Sequence, residues 1–384
     1  MKMDLLDLKP YGQLGIIALE SCKDIGNKIN EHIVAKMKYE MSRILREEEI
    51  KEESYIIPID EIRFANGEGK VKIEDTVRGK DIYILCDVSN YSCTYELFGF
   101  QNRKGPDEHF QDIKRVLSAI GGKARRITVV MPLLYAARQH RRKGRESLDC
   151  AIALQELERL GVEEILTFDV HDPTIQNAIP LISFENLYPT YEIVKTFIKE
   201  EKNLLINKTK MLVISPDTGA MDRAIYYSSV LGLDVGLFYK RRDHSIIVKG
   251  KNPIVQHEYI GRSIEGKNVL IVDDMIASGE SVFDIALELK RRKAEHIYVA
   301  STFAFFTEGI DKFQKFYEEG IIKKVYSTNM NYIPKEIKDA EWFYEVDMSE
   351  FIAKIIYNHN HDKSISPLLD ATNGIKHLLS QNVL

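Results

Sequence analysis

Seven short apolar runs, separated by stretches that read as amphipathic helices, confine this 384-residue chain to a narrow set of folds. The runs lie at 82–87, 127–131, 165–170, 211–215, 235–239, 269–273 and 297–303, each bounded by polar residues. Near-continuous apolar strands alternating with helices indicate an α/β fold of mainly parallel sheets covered on both faces. The intervening segment 147–161 (SLDCAIALQELERLG) illustrates the helices. Ser147 is placed to cap its start and Gly161 to end it, with Ala151, Ile152, Leu154, Leu157 and Leu160 as the expected buried stripe.

Length and pattern together predict two similar domains. A chain this long exceeds one typical core, and the strand–helix pattern recurs on both sides of residue 187. The segment LYPTYE (187–192) contains a proline and no apolar period, as a crossover would. The expected division is 1–187, 188–345 and a C-terminal segment 346–384 that packs back on the first domain. Two stretches read as insertions. Residues 36–54 are charge-dense and helix-prone, suiting a solvated helix or a lid. Residues 91–112 form a long polar and aromatic connection, suiting an assembly contact or a substrate lid.

Composition excludes several function classes. A formal net charge of −5 gives no basic field for nucleic acid or an anionic membrane. No apolar run reaches transmembrane length, and the N-terminal MKMDLLDLKPYG lacks a secretory apolar core. The cysteines at 22, 86, 93 and 150 contain no CxxC pair, so neither a metal cage nor a disulfide scaffold is indicated, and a reducing cytoplasm is expected.

The chemistry concentrates at 269–281, VLIVDDMIASGES. An apolar strand leads to the carboxylates Asp273 and Asp274, then a turn of small residues, Ala277, Ser278 and Gly279. A helix is expected to open at Glu280–Ser281, with Val282, Ile285, Ala286 and Leu289 inward. A strand of this kind delivers its loop to the carboxyl edge of a sheet, where open α/β folds bind ligands. Small residues let backbone N–H groups approach a phosphate, and the helix N-terminus favours its charge. Paired carboxylates suit the two secondary hydroxyls of a ribose, or a metal bound through them.

This stretch resembles the phosphoribosyl-diphosphate binding motif shared by phosphoribosyltransferases and ribose-phosphate diphosphokinases. Further segments occur in the order of the diphosphokinases: RFANGEGKVKIEDTVRGK (63–80), PLLYAARQHRRKGRE (132–146), TFDVHDPTIQ (167–176), ISPDTGAMDR (214–223) and YKRRD (239–243). The resemblance covers roughly residues 56–305 and implies two phosphoribosyltransferase-like domains. It also implies transfer of the diphosphoryl group of ATP to the anomeric hydroxyl of ribose 5-phosphate, with Mg²⁺, in a cytoplasmic homo-oligomer. A phosphoribosyltransferase would share only the motif at 269–281.

The resemblance also assigns roles. Phe64, Asn66 and Glu68 fall on the adenine-binding pattern, and Arg138 with Gln139 on the nucleotide-contacting pair. His171 and Asp217 fall on metal positions, Asp217 also near the ribose. Lys240 and Arg242 are the cations expected to offset charge at the transferring phosphorus. Asp273 and Asp274 would hold the ribose hydroxyls, and Ser278, Gly279 and Ser281 the 5-phosphate. Departures from the pattern occur at His140 (for an acid), Asp172 and Pro173 (for small residues), Ala220 (for glycine) and Glu280 (for a small residue). His140, Asp172 and Glu280 keep open a non-catalytic, regulatory relative of the synthetase. Glu280 must point outward if its amide is to face a phosphate.

Overall fold

The computed structural model describes residues 9–43, 53–142, 144–242 and 254–381, with the backbone alone at 240–242 and 254–257. The chain divides into two compact units. The first takes the residues up to Tyr188 together with 330–332 and 347–369. The second takes 189–329, 333–346 and the residues from Asp370 on.

The first stretch of chain supplies β1 (Gln13–Ala18), α1 (Lys23–Ser42), β2 (Ile59–Arg63), β3 (Gly69–Ile73), β4 (Lys80–Leu85), β5 (Thr94–Leu97), β6 (Phe100–Arg103), α2 (Pro106–Ile120), β7 (Arg126–Val130), α3 (Asp149–Arg159), β8 (Glu164–Phe168) and β9 (Ser183–Leu187). Strands β1-β4-β7-β8-β9 form a parallel sheet in that order, while β2–β3 and β5–β6 are separate antiparallel hairpins. Strands β4 and β8 are buried throughout, as covering on both faces requires.

The second stretch supplies α4 (Thr190–Glu200), β10 (Met211–Ser215), α5 (Met221–Leu231), β11 (Asp234–Arg242), β12 (Ile254–Ile260), β13 (Asn268–Ile276), α6 (Glu280–Arg291), β14 (Ile297–Ala304), α7 (Asp311–Glu318), β15 (Lys324–Thr328), α8 (Lys335–Lys338) and β16 (Phe343–Val346). Its seven-stranded sheet has the order β12-β11-β10-β13-β14-β15-β16, parallel except for the edge strand β12. Then follow α9 (Ser349–Asn360) and α10 (Ser366–Leu369) in the first unit, and α11 (Thr372–Gln381) in the second.

Helix α9 belongs to the first unit through buried polar contacts at the amino edge of its sheet. Asn360 donates to Asp81 Oδ2 and to the Gly12 carbonyl, both at 2.9 Å, and His359 Nδ1 lies 2.9 Å from Glu164. Arg126 binds both oxygens of Asp81, at 2.8 and 2.6 Å. The segment 330–332 is held by the buried Asp87, whose carboxylate accepts the Tyr332 N–H at 2.9 Å. Burial pushes the Asp87 carboxyl up to about 6, against the hydrogen bonds from Ser89 and Tyr332.

Several expectations need correction. Residues 91–112 are not a long connection: they form the β5–β6 hairpin and the start of α2. Pro106 opens that helix, and Glu108 accepts the Gly105 N–H at 2.9 Å. Helix α3 starts at Asp149 after Leu148, and the Ser147 hydroxyl bonds Asp149 instead of capping. Its buried stripe is Cys150, Ala153, Leu154 and Leu157, whereas Ile152 is 51 % and Leu160 42 % exposed. Gly161, at φ +90°, does end the helix. Of the stretch 36–54, residues 36–42 complete α1, and 44–52 lie outside the described residues. All four cysteines are free and buried. Among the described residues, no helix is long and apolar enough to cross a membrane.

Candidate functional site

In the second unit, chain order creates the crevice. From β10 the chain moves outward to β11 and β12, then crosses to β13 on the other side of β10. This reversal between β10 and β13 is the place where a parallel sheet opens at its carboxyl edge. Strand β13 pairs with β10 only as far as Ile271, yet continues beside β14 to Ile276. Asp273 and Asp274 therefore stand inside a strand, beyond the end of β10, and not in the turn that follows. The turn itself is only 277–279.

The ends of both strands are held rigidly. After β10, Asp217 Oδ1 accepts the N–H groups of Gly219 (2.9 Å) and Ala220 (3.2 Å), and Ser215 donates to the Asp217 carbonyl (2.7 Å). After β13, Phe305 N–H bonds the Ile276 carbonyl and Thr307 N–H that of Ala277. Gly279 has φ +87°, and a Cβ there would lie 2.7 Å from the Phe313 ring. Both the dihedral and the close approach require glycine. Glu280 is exposed in the first turn of α6, where an acid complements the helix dipole. The departure at 280 thus leaves the inner face of the turn unaltered.

The acid pair is electrostatically loaded. Asp274 is buried, and its N–H donates to Asp273 Oδ1 at 2.9 Å. Burial, and next the adjacent Asp274 charge, push the Asp273 carboxyl well above the usual range, with Asp217 adding to the rise. Arg223, on the first turn of α5, opposes them with Nη1 4.0 Å from Asp273 Oδ1. On the far side of β10, β11 pairs with it only up to Leu237. Lys240 and Arg242 lie in the part of β11 that pairs with β12 alone, with a bulge between Arg241 and Arg242. Their side chains lie outside the described residues.

The first unit carries the other residues at two places. Phe64–Glu68 form the tip of the β2–β3 hairpin, closed by the Phe64 N–H on the Glu68 carbonyl. Asn66 Nδ2 donates to Glu68 at 3.0 Å, and the Phe64 ring is half exposed. Arg63, the last residue of β2 beside that tip, clamps both oxygens of Asp112 on α2. Beside it the buried Lys104 meets Glu20, Glu61 and Asp112, which together outweigh burial and hold its ammonium charged. A cleft of about 1030 Å³ opens between this hairpin and β5–β6, lined by Arg63, Asn66, Tyr95 and Phe98 among others.

Arg138 and Gln139 are exposed on a single helical turn, 137–139, that follows β7. His171 is exposed just after β8, the neighbouring strand. Before it, the buried Asp169 takes φ +45° and donates its N–H to the Leu187 carbonyl at 2.8 Å. A strained, non-glycine backbone at a strand end is typical of places where function fixes geometry. Thus Arg138, Gln139 and His171 share one sheet edge, while Phe64, Asn66 and Glu68 share a hairpin tip. Among the described residues no cluster of three or more His, Cys, Asp or Glu side chains is arranged to hold a metal.

Two domain families match the chain. Residues 14–161 match the N-terminal domain of ribose phosphate pyrophosphokinase, and residues 183–334 the phosphoribosyl transferase domain. The ribose-phosphate pyrophosphokinase of Ralstonia nicotianae is 30 % identical over 240 residues, which are 62 % of this chain and 67 % of that protein. The chain belongs to the ribose-phosphate pyrophosphokinase family. The Mycoplasma pneumoniae member is 27 % identical over 312 residues, covering 79 % of this chain and 85 % of its own. The crystal structure of phosphoribosylpyrophosphate synthetase from Mycobacterium smegmatis shares the fold, with a TM-score of 0.70 at 20 % identity over 90 % of this chain and 98 % of that one.

The chain thus joins two α/β domains, of which the second matches the phosphoribosyl transferase domain. The two sheets differ as well: the five-stranded order runs in one direction without reversal, while the seven-stranded order reverses at β10. Sequence reasoning assigned no role to Arg223, although it closes the ISPDTGAMDR segment. Its signal was a cation in the first helical turn after a strand-to-helix loop, and its partner Asp273 is remote in sequence.

Proposed function

We propose that the chain transfers the diphosphoryl group of ATP to the anomeric hydroxyl of ribose 5-phosphate, giving 5-phosphoribosyl 1-diphosphate and AMP. One observation carries the reading. The second unit holds a rigid strand–turn–helix with two acids at its sheet reversal, and the first unit adds exposed Phe64, Arg138 and Gln139, which a phosphoribosyltransferase would not need. Membership of the pyrophosphokinase family supports the same reaction.

In this mechanism Ser278, Gly279 and Ser281 bind the 5-phosphate, chiefly through backbone amides at the start of α6. Asp273 and Asp274 hold the ribose hydroxyls, and Asp217 sets the opposite wall. Phe64 stacks on adenine, Asn66 and Glu68 read its edge, and Arg138 with Gln139 contact the nucleotide. The anomeric oxygen attacks the β-phosphorus and AMP leaves. Little covalent work falls to the protein, so alignment and charge neutralisation dominate. Lys240 and Arg242 provide the cations for the transferring group.

Mg²⁺ is the ion proposed for the reaction. Asp217 offers a hard oxygen ligand, and burial beside Asp274 makes the charge on Asp273 one that a nearby cation would relieve. Asp217 and His171 are each proposed as a metal ligand, and bound Mg²⁺ would neutralise phosphate charge. The enzyme is further proposed to be a cytoplasmic homo-oligomer. AMP release from ATP, ribose 5-phosphate and Mg²⁺ tests the reaction. AMP that forms only with ribose 5-phosphate supports it, and no AMP under any of these conditions overturns it.

A further inference from the structure

We propose that His140 and Asp172 form a positioning pair that sets the Arg138–Gln139 turn against the His171 loop. The proposal rests on the reading above, in which those three residues face the nucleotide and its metal. In the sequence each partner is a separate departure from the family pattern. In the structure they are one contact, with His140 Nε2 3.2 Å from Asp172 Oδ2.

His140 ends the 137–139 turn, and its Nδ1 lies 3.0 Å from the Ala137 carbonyl oxygen. Both ring nitrogens lie within hydrogen-bond distance of oxygen atoms, so the orientation of the ring is set from two sides. The imidazole is 9 % exposed, which fixes its orientation further.

Asp172 is equally constrained. Its Oδ1 accepts the Thr174 N–H at 3.0 Å and the Thr174 hydroxyl at 2.6 Å. Pro173 follows and opens the helical turn 173–178. The second carboxylate oxygen is left facing His140.

The pair therefore bridges the loops that leave two adjacent strands, β7 and β8, at a point one residue from each ligand-facing group. Gln139 precedes His140, and His171 precedes Asp172. The rings of His140 and His171 lie 5.5 Å apart at 57°. Neither member of the pair needs to touch a substrate. Its effect is to fix the spacing of groups that do, and a shift there on the order of 1 Å costs catalysis heavily. An acid at 140 opposite Asp172 would repel it, and a small residue at 172 would leave His140 with one anchor. The two departures are coupled, each being acceptable because of the other.

A double-mutant cycle tests this with His140→Asp, Asp172→Ala and the double variant, all in the full chain. Each single change should raise the KM for ATP on the order of tenfold, the factor a typical coupling between contacting residues gives. The KM for ribose 5-phosphate and the thermal midpoint should stay near wild type. The double variant should recover ATP KM to within about threefold of wild type. His140→Gln, which keeps a donor towards Asp172, should remain close to wild type even where His140→Asp folds poorly. Additive losses in the double variant, or both KM values rising together with lowered stability, would overturn the proposal. Amide exchange at 137–142 and 171–174 separates it from the proposed reaction. Asp172→Ala should speed exchange in both segments whether or not AMP is made, and unchanged exchange would overturn the pairing alone.

Discussion

Substituting Gly279 by alanine tests whether the turn between β13 and α6 is shaped for a phosphate. Two penalties are legible there. The residue sits at φ +87°, where an L side chain costs about 1–2 kcal/mol. A Cβ would also lie 2.7 Å from two Phe313 ring atoms and 2.9 Å from Phe283, an overpacking worth about 1–3 kcal/mol. Together these give about 2–5 kcal/mol, to be met by loss of stability or by relaxation of the turn. Relaxation moves the amides of 278–281, so ribose 5-phosphate affinity should fall at least about tenfold, the equivalent of 1.4 kcal/mol. Gly266→Ala is the matched control. It has φ +67°, and a Cβ there would meet no atom within 4 Å, so it should show the dihedral penalty alone and bind ribose 5-phosphate normally. Calorimetric titration with ribose 5-phosphate and thermal unfolding of both variants provide the measurements. The reasoning fails if Gly279→Ala binds within about twofold of wild type and is no less stable than Gly266→Ala.

Other perturbations address the remaining parts of the site. Glu280→Gly should leave ribose 5-phosphate affinity almost unchanged, because that side chain is exposed, whereas Asp274→Ala should weaken or abolish it; equal effects in titration would refute the assignment. Lys240→Ala and Arg242→Ala should each lower turnover on the order of a hundredfold, about 3 kcal/mol, with little change in substrate binding, and near-normal turnover would remove their catalytic role. Phe64→Ala and Arg138→Ala should weaken ATP binding and spare ribose 5-phosphate, and equal losses for both ligands would count against a nucleotide role. Asp87, raised by burial to about 6, binds its proton more tightly folded than unfolded. Its contribution of about 3 kcal/mol is complete below pH 4 and is lost as pH rises through 6. Urea unfolding from pH 4 to 7 should show that decline in the wild type and a flatter profile in Asp87→Asn.

Local signals make much of this protein readable from its sequence. The apolar runs at 211–215 and 297–303 form β10 and β14 nearly residue for residue, because a strand buried on both faces must be apolar throughout. The start of α6 at Glu280 and the outward Glu280 side chain are also legible, since a small-residue turn and a helix start lie within a few neighbouring positions. Where apolar content is ambiguous, local reading fails. Ile152 and Leu160 fit an apolar stripe on α3 but lie exposed, the buried face being chosen by what the helix packs against. The β5–β6 hairpin escapes a sequence reading because its strands are short and mostly polar, with exposed Phe98 and Phe100 at the tip.

What the sequence by itself determined was the alternation of strands and helices and the order of the chemical motifs, all set by residues close together in the chain. Tertiary structure decided the strand order, the reversal at β10 that opens the crevice, and the return of α9 to Asp81 and Glu164. It also decided that Arg223 faces Asp273, and that His140 meets Asp172. These contacts join residues tens to hundreds of positions apart, where no periodicity or spacing survives to announce them. They form only when sheet pairing brings separate strand ends to a common edge.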